Sequence, residues 1–265
     1  MKIRQISCKT ALSPSKLPGI DYSLNPYRGC EHRCAYCYAP NVLKINREKW
    51  GDFDDVKVNI PHILSKELKM RKPGVVGIST VTDPYQSVEK KFKITRYCLE
   101  QLLKHDFPIN IQTKSSMVIR DIDLISKFSN AEVMVSIATL NDNERKLLEP
   151  YSSSIKKRLD ILRKYYNAGV RVSVFFGPIY PTIKNEEITD IFKVFKDCGV
   201  SEIMIDNFHF RTGVMENIES ALSKNPDILE IFSKNIFKSK KFHSEFRKNI
   251  KDFSRKNKIK IIDAF

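Results

Sequence analysis

Cysteine is scarce in this chain, with six in 265 residues. That is too few for a disulfide-stapled scaffold, and in a reducing compartment clustered cysteines serve more often as metal ligands than as bridges. Long hydrophobic runs are missing: nothing approaches the roughly 18 apolar residues of a transmembrane helix. The stretch from Met1 to Thr10 lacks the apolar core of a signal peptide, so a cytoplasmic setting away from membranes is expected. Histidine is low at five, which leaves little for acid–base or hydrolytic chemistry. No Ser–His–Asp order, phosphate-cradling glycine loop or His-Glu-x-x-His motif is present. Acidic residues are in deficit, 31 against 46 Lys and Arg, for a net charge of +15. Such a field gathers polyanions, which makes nucleic acid the natural partner class. A Lys, Ile and Asn bias of the kind AT-rich coding produces would give the same excess, so charge alone leaves the partner open.

What is present is an alternation of short β-branched runs with longer amphipathic stretches. Strands are expected near 20–24 and at 75–80, 109–113, 132–138, 170–176 and 202–206. Between them lie helical patterns: one through Ile94, Leu99 and Leu102; one over 122–128 with Asp121 as N-cap; one starting at Asn141 with Glu144 three residues on; one capped by Ser154; and one over 188–198. Crossovers of this length imply a parallel sheet of about six strand–helix units, an α/β partial (β/α)6 barrel. Such folds place their sites at the carboxyl ends of the strands. The expected organisation is one domain over 1–214, with a basic helical extension over 215–265. In that extension Phe232, Phe237, Phe242, Phe246 and Phe253 interleave with Lys238, Lys240, Lys241, Arg247, Lys248 and further basic residues. The pattern suits a phosphate-facing surface or a helix with Phe inward and Lys in water.

The densest signal is the loop over 25–40, Asn-Pro-Tyr-Arg-Gly-Cys-Glu-His-Arg-Cys-Ala-Tyr-Cys-Tyr-Ala-Pro. Cys30, Cys34 and Cys37 are soft donors spaced to wrap one iron–sulfur cube. Three local thiolates leave one iron open, as in a catalytic rather than a closed structural site. The alternative is zinc, with His32 or His62 as fourth ligand, although no second Cys-x2-Cys unit or spaced histidine pair is present. Cys8, Cys98 and Cys198 are scattered, so a second cluster is not expected.

Cys-x3-Cys-x2-Cys followed by an aromatic resembles the cluster loop of the radical S-adenosylmethionine superfamily. The chain is similar to the branch related to spore photoproduct lyase, whose relatives are often labelled DNA repair photolyases. The likeness runs from about 20 to 210, through Thr80-Val81-Thr82-Asp83-Pro84-Tyr85-Gln86, Thr113-Lys114-Ser115, Val135-Ser136-Ile137, Leu148-Glu149-Pro150, Arg158-Leu159 and Gly177-Pro178-Ile179-Tyr180-Pro181. It implies a [4Fe–4S] cluster that reductively cleaves S-adenosylmethionine to a 5′-deoxyadenosyl radical. It also implies a reductant such as flavodoxin or ferredoxin; a monomer is expected. By the resemblance, Thr80, Thr82 and Asp83 meet the methionine amino group or the ribose, although Asp83 alone also suits a helix cap. Lys114 meets the methionine carboxylate and Ser136 the ribose; Tyr36 packs on adenine or supports the loop. Tyr38, Tyr85 and Tyr180 either face the substrate side, with Tyr38 and Tyr85 as candidate catalytic residues, or pack in the core, the commoner role of tyrosine. Glu149 and Arg158 read as a structural pair. The substrate is expected to be nucleic acid, with a peptide, protein or small metabolite as the alternative, and a non-catalytic iron–sulfur or zinc protein as a third reading. Thr80 stands where a true spore photoproduct lyase carries its hydrogen-returning cysteine, so that activity is not expected.

Overall fold

Apolar runs buried on both faces make the centre of one sheet, into which eight strands pair. They are β2 (Leu12–Pro14), β3 (Tyr22–Leu24), β6 (Val76–Ile78), β7 (Ile109–Thr113), β8 (Ala131–Ser136), β9 (Arg171–Phe176), β10 (Glu202–Ile205) and β11 (Lys260–Asp263). In chain order these interleave with β1 (Lys2–Ile6), β4 (Tyr27–Arg28) and β5 (Phe53–Lys57), which make a separate three-stranded sheet in the order β1-β5-β4. The large sheet runs β11-β10-β9-β8-β7-β6-β3-β2, parallel throughout except at β2–β3. The computed structural model describes residues 1–236 and 240–264, and the side chains of 240–247 are outside the description.

The six expected strand–helix units are therefore present as an α/β parallel sheet. All six residues of β8 are buried, as a central parallel strand requires. Ser154 caps the helix Ile155–Asn167, accepting from the Lys157 amide. Asn141 accepts from the amides of Asn143 and Glu144, but the Glu144 carboxylate turns to Thr139 and Thr182 instead of closing a capping box. Asp121 makes no cap either. Its carboxylate is taken by Arg96 at 2.8 Å and Arg120 at 2.7 Å, since two guanidiniums outbid a backbone amide.

The tail departs from the helical expectation at its end. After the helices Val214–Leu222, Pro226–Ile236 and Lys240–Asn257, Lys258 takes a positive φ of 55° and the chain enters β11, which pairs in parallel with β10. Phe232 and Phe253 are buried while Lys248, Lys251, Arg255 and Lys256 face water, the amphipathic arrangement. Phe237 and Lys238 lie outside the described residues, as do the side chains of Lys240, Lys241, Phe242, Phe246 and Arg247.

Candidate active site

The carboxyl ends of the parallel strands open on one cavity, and the cysteine loop leans over it. Cys30, Cys34 and Cys37 all line it, together with His32, Tyr36, Tyr38, Thr80, Thr82, Asp83, Lys114 and Ser136. Asn110, Gln112, Met134, Phe175 and Met204 line it from the sheet. Tyr85 does not line it. That residue is fully buried elsewhere, its ring under Arg120, and its hydroxyl has no partner. Tyr180 is likewise buried behind Tyr36 and does not reach the cavity. Sequence alone cannot tell which face of a turn an aromatic takes, and here packing decided it.

The loop is held at several points. Gly29 sits at φ 104°, and a Cβ there would run into the Phe53 carbonyl, so this turn demands glycine. Thr82 donates to the Gly29 carbonyl, and the Glu31 amide donates to Gln86 at 2.6 Å. The Ala35 amide donates to the Leu148 carbonyl at 2.8 Å, and the Tyr36 hydroxyl donates to Glu149. Arg47 donates to the Cys37 carbonyl at 2.8 Å. Glu149 in turn pairs with Arg158, both fully buried, and Arg158 reaches the Ser136 carbonyl at 2.8 Å. The expected structural pair thus ties the cysteine loop to β8.

Asp83 is occupied by the protein itself. Its carboxylate accepts from the Tyr85 amide (2.9 Å), the Thr113 hydroxyl (2.8 Å) and the Lys114 amide (2.8 Å), and His32 Nδ1 stands 3.4 Å away. Lys114 Nζ lies 5.8 Å from the centre of the Tyr36 ring. Burial works against its charge, but Cys34 and Glu149 outweigh that and hold its pKa above the ordinary lysine value. Burial also opposes ionisation of Glu149, yet Arg158 and Lys114 bring it down to about 2. Thr80 accepts from Tyr38 on its carbonyl at 2.6 Å and from Asn25 on its hydroxyl at 3.3 Å. The Ser136 hydroxyl stands 3.5 Å from Gln112 Nε2.

The thiols suit a cluster. Burial pushes Cys34 up to about 12 and Cys30 well above the usual thiol range. A group that takes them as thiolates must therefore bring positive charge, which iron does. His62 lies on the helix Ile60–Leu68, away from the cavity.

Two groups went unnoticed in the sequence. Arg47 bonds both to the cysteine loop and to Asn41, and nothing in its local pattern announces this. Asp206 and His209, just past β10, line the cavity with His209 Nε2 3.0 Å from the carboxylate. Their position at a strand end was the available clue.

Comparison with known proteins agrees with the geometry. Residues 24–195 match the Radical SAM superfamily. An uncharacterized protein of Methanocaldococcus jannaschii is 39% identical over 189 residues, covering 71% of each chain. Another from Acidianus two-tailed virus is 31% identical over 238 residues, covering 80% of this chain and 78% of its own. Among solved structures, spore photoproduct lyase superposes with a TM-score of 0.74 at 16% identity, over 99% of this chain and 82% of that one. Streptococcus suis SuiB bound to S-adenosylmethionine gives 0.60 at 13%, over 91% of this chain and 49% of that one. Members of the superfamily are enzymes that use a [4Fe–4S] cluster and S-adenosylmethionine. On the extent of the family match and the likeness of these relatives, this chain belongs to the radical SAM superfamily.

Proposed function

We propose that Cys30, Cys34 and Cys37 hold one [4Fe–4S] cluster and that the enzyme acts on a nucleic acid, repairing a DNA lesion or modifying RNA. When bound, the cluster supplies the electron that splits S-adenosylmethionine into methionine and a 5′-deoxyadenosyl radical able to take hydrogen from a substrate. The observation that carries this reading is the meeting of the three thiols and Lys114 on one cavity at the strand ends. Lys114 offers a point charge to the methionine carboxylate, and Asp83 fixes the Lys114 backbone in place. Thr80, Thr82, Ser136 and Tyr36 form the rest of the wall toward the cosubstrate. Trp50 and Ala39 close the loop side against water.

Either the substrate radical is consumed by a different reaction, or a residue of the protein returns the hydrogen. Among the described residues the cysteines lining the cavity are the three of the loop, whereas Cys98 is buried in the helix Ile94–Lys104. Tyr38, half-exposed on the cavity wall, is the remaining candidate for that role. Thr80 beyond the end of β6, with the loop cysteines as the cavity thiols among the described residues, supports a reaction other than that of a true spore photoproduct lyase.

The nucleic-acid arm is supported by the net charge of +15 and by a solved structure of spore photoproduct lyase complexed with dinucleoside spore photoproduct. A peptide substrate is the second reading, supported by SuiB bound to its precursor peptide. A cytoplasmic monomer reduced by flavodoxin or ferredoxin completes the proposal. The test is anaerobic reconstitution, then iron content and release of 5′-deoxyadenosine. Product profiling by mass spectrometry with cellular DNA, RNA and peptides follows. Cleavage without any altered nucleic acid, but with an altered peptide, would overturn the substrate assignment.

A further inference from the structure

The segment from Asp206 to Gly213 has no regular structure, yet it is firmly tied. The Ile179 amide donates to the Asp206 carbonyl at 2.9 Å, and Asn41 donates to the Thr212 carbonyl at 3.2 Å. Phe208 is the anchor: its ring meets Tyr36, Tyr180 and Phe232 at 5.4 to 6.1 Å. Phe208 packs on these rings while also lining the cavity, and its neighbours Asn207 and His209 are exposed. Asp206 and His209 line the cavity, with His209 Nε2 3.0 and 3.2 Å from the two carboxylate oxygens. Gly177 makes room for this pair, since a Cβ there would come within 2.8 Å of the Asp206 Cβ. Phe210 stacks on Phe208, 5.9 Å away and tilted by 12°, and remains 50% exposed. Tyr38 also lines the cavity, close enough for Asp206 and Arg211 to act on its phenol, and is 41% exposed.

An exposed aromatic face next in sequence to a cation, beside a donor–acceptor pair on the cavity wall, is what an unpaired base calls for. The π-face takes the ring, Arg takes the phosphate, and the polar pair takes the hydrogen-bonding edge. We infer that the stretch from Asp206 to Arg211 is a base-reading rim, which stacks an unpaired nucleobase of a single strand on Phe210 and presents its polar edge to Asp206 and His209. The inference rests on the nucleic-acid reading above and adds to it the strandedness of the substrate and the residues that recognise it. A duplex keeps its bases stacked and offers the rim nothing to hold.

The experiment is fluorescence anisotropy of the reconstituted full chain with labelled single-stranded DNA, single-stranded RNA and duplex DNA of roughly ten nucleotides or base pairs. Single strands should bind about 10-fold or more tighter than duplex. Phe210→Ala and His209→Ala should each weaken single-strand binding about 5-fold or more, whereas Tyr151→Ala, an exposed aromatic elsewhere, should not. Arg211→Gln should lower the slope of log affinity against log salt by about 0.7. Circular dichroism melts identical to the parent show that the variants fold. Wild-type affinity in both Phe210→Ala and His209→Ala overturns the rim, as does displacement of the strand by a polyglutamate of equal charge. Failure to bind any nucleic acid in a salt-dependent way instead overturns the reading on which the rim rests.

Discussion

Asp54, the second residue of β5, is fully buried, and neither of its carboxylate oxygens has a hydrogen-bond partner. Burial, and then the charges of Glu31 and Asp55, push its pKa from 3.8 to about 8. The folded chain thus keeps a proton that the unfolded chain gives up near pH 4. The stability linked to Asp54 is intact below that point and is lost as pH rises toward 8, at about 1.4 kcal/mol per pH unit. Asp54→Asn keeps the shape and cannot ionise, while an unpaired N–H replaces an unpaired O–H, so the two desolvation costs largely cancel. The variant should therefore gain on the parent as pH rises, by about 2.7 kcal/mol between pH 5 and pH 7. Urea unfolding of both proteins at these two pH values measures the gap directly, since every other titrating group drops out of the difference. The slopes against urea must agree for the comparison to hold. A gap that stays constant to within about 0.5 kcal/mol refutes the reasoning and means that Asp54 is ionised in the folded protein.

Replacing Cys34 with Ala should abolish both iron retention and 5′-deoxyadenosine release, because two thiolates cannot hold a cube with one open iron; full activity would sink the ligand assignment. Lys114→Ala should leave iron content unchanged and weaken S-adenosylmethionine binding by about 1 to 3 kcal/mol, read by equilibrium dialysis; unchanged affinity would make it a bystander. Arg158→Ala should cost about 3 to 5 kcal/mol in chemical denaturation, since it strands a buried Glu149; a loss below about 1 kcal/mol contradicts the buried pair. Given a spore-photoproduct dinucleotide, the reconstituted enzyme should not turn over repeatedly to unmodified thymines, and efficient repair would overturn the Thr80 argument.

The central sheet was legible because its strands are β-branched runs between strongly periodic helices; β7 falls at 109–113 as its composition dictates. The small sheet was not. β4 has two residues, and β5 reads Phe-Asp-Asp-Val-Lys, with two acids in five positions. Its pairing with β1 joins residues about fifty apart, which no local window sees. β11 hid in a lysine-rich tail, where only its partner β10 makes a strand of it. At the site, Cys30, Cys34 and Cys37 stood out because ligand spacing is a local property. For Tyr85 and Tyr180 the choice between substrate wall and core stayed open, because side-chain direction is a tertiary property. Asp206 and His209 escaped notice because two ordinary polar residues three apart become a pair only when Phe208 is pinned.

The anchoring of the cysteine loop bears on how the protein meets its metal. Gly29 and Glu31 are bonded to the 82–86 segment, Ala35 and Tyr36 to Leu148 and Glu149, and Cys37 to Arg47, three separate parts of the fold. On the ligand assignment proposed above, these bonds to the rest of the fold do not pass through the metal, in contrast to a zinc finger, where the ion itself gathers a disordered chain. An apoprotein drained by oxygen should remain folded and competent to be recharged, so that oxidative damage here is a reversible loss of cargo rather than a collapse of the vessel.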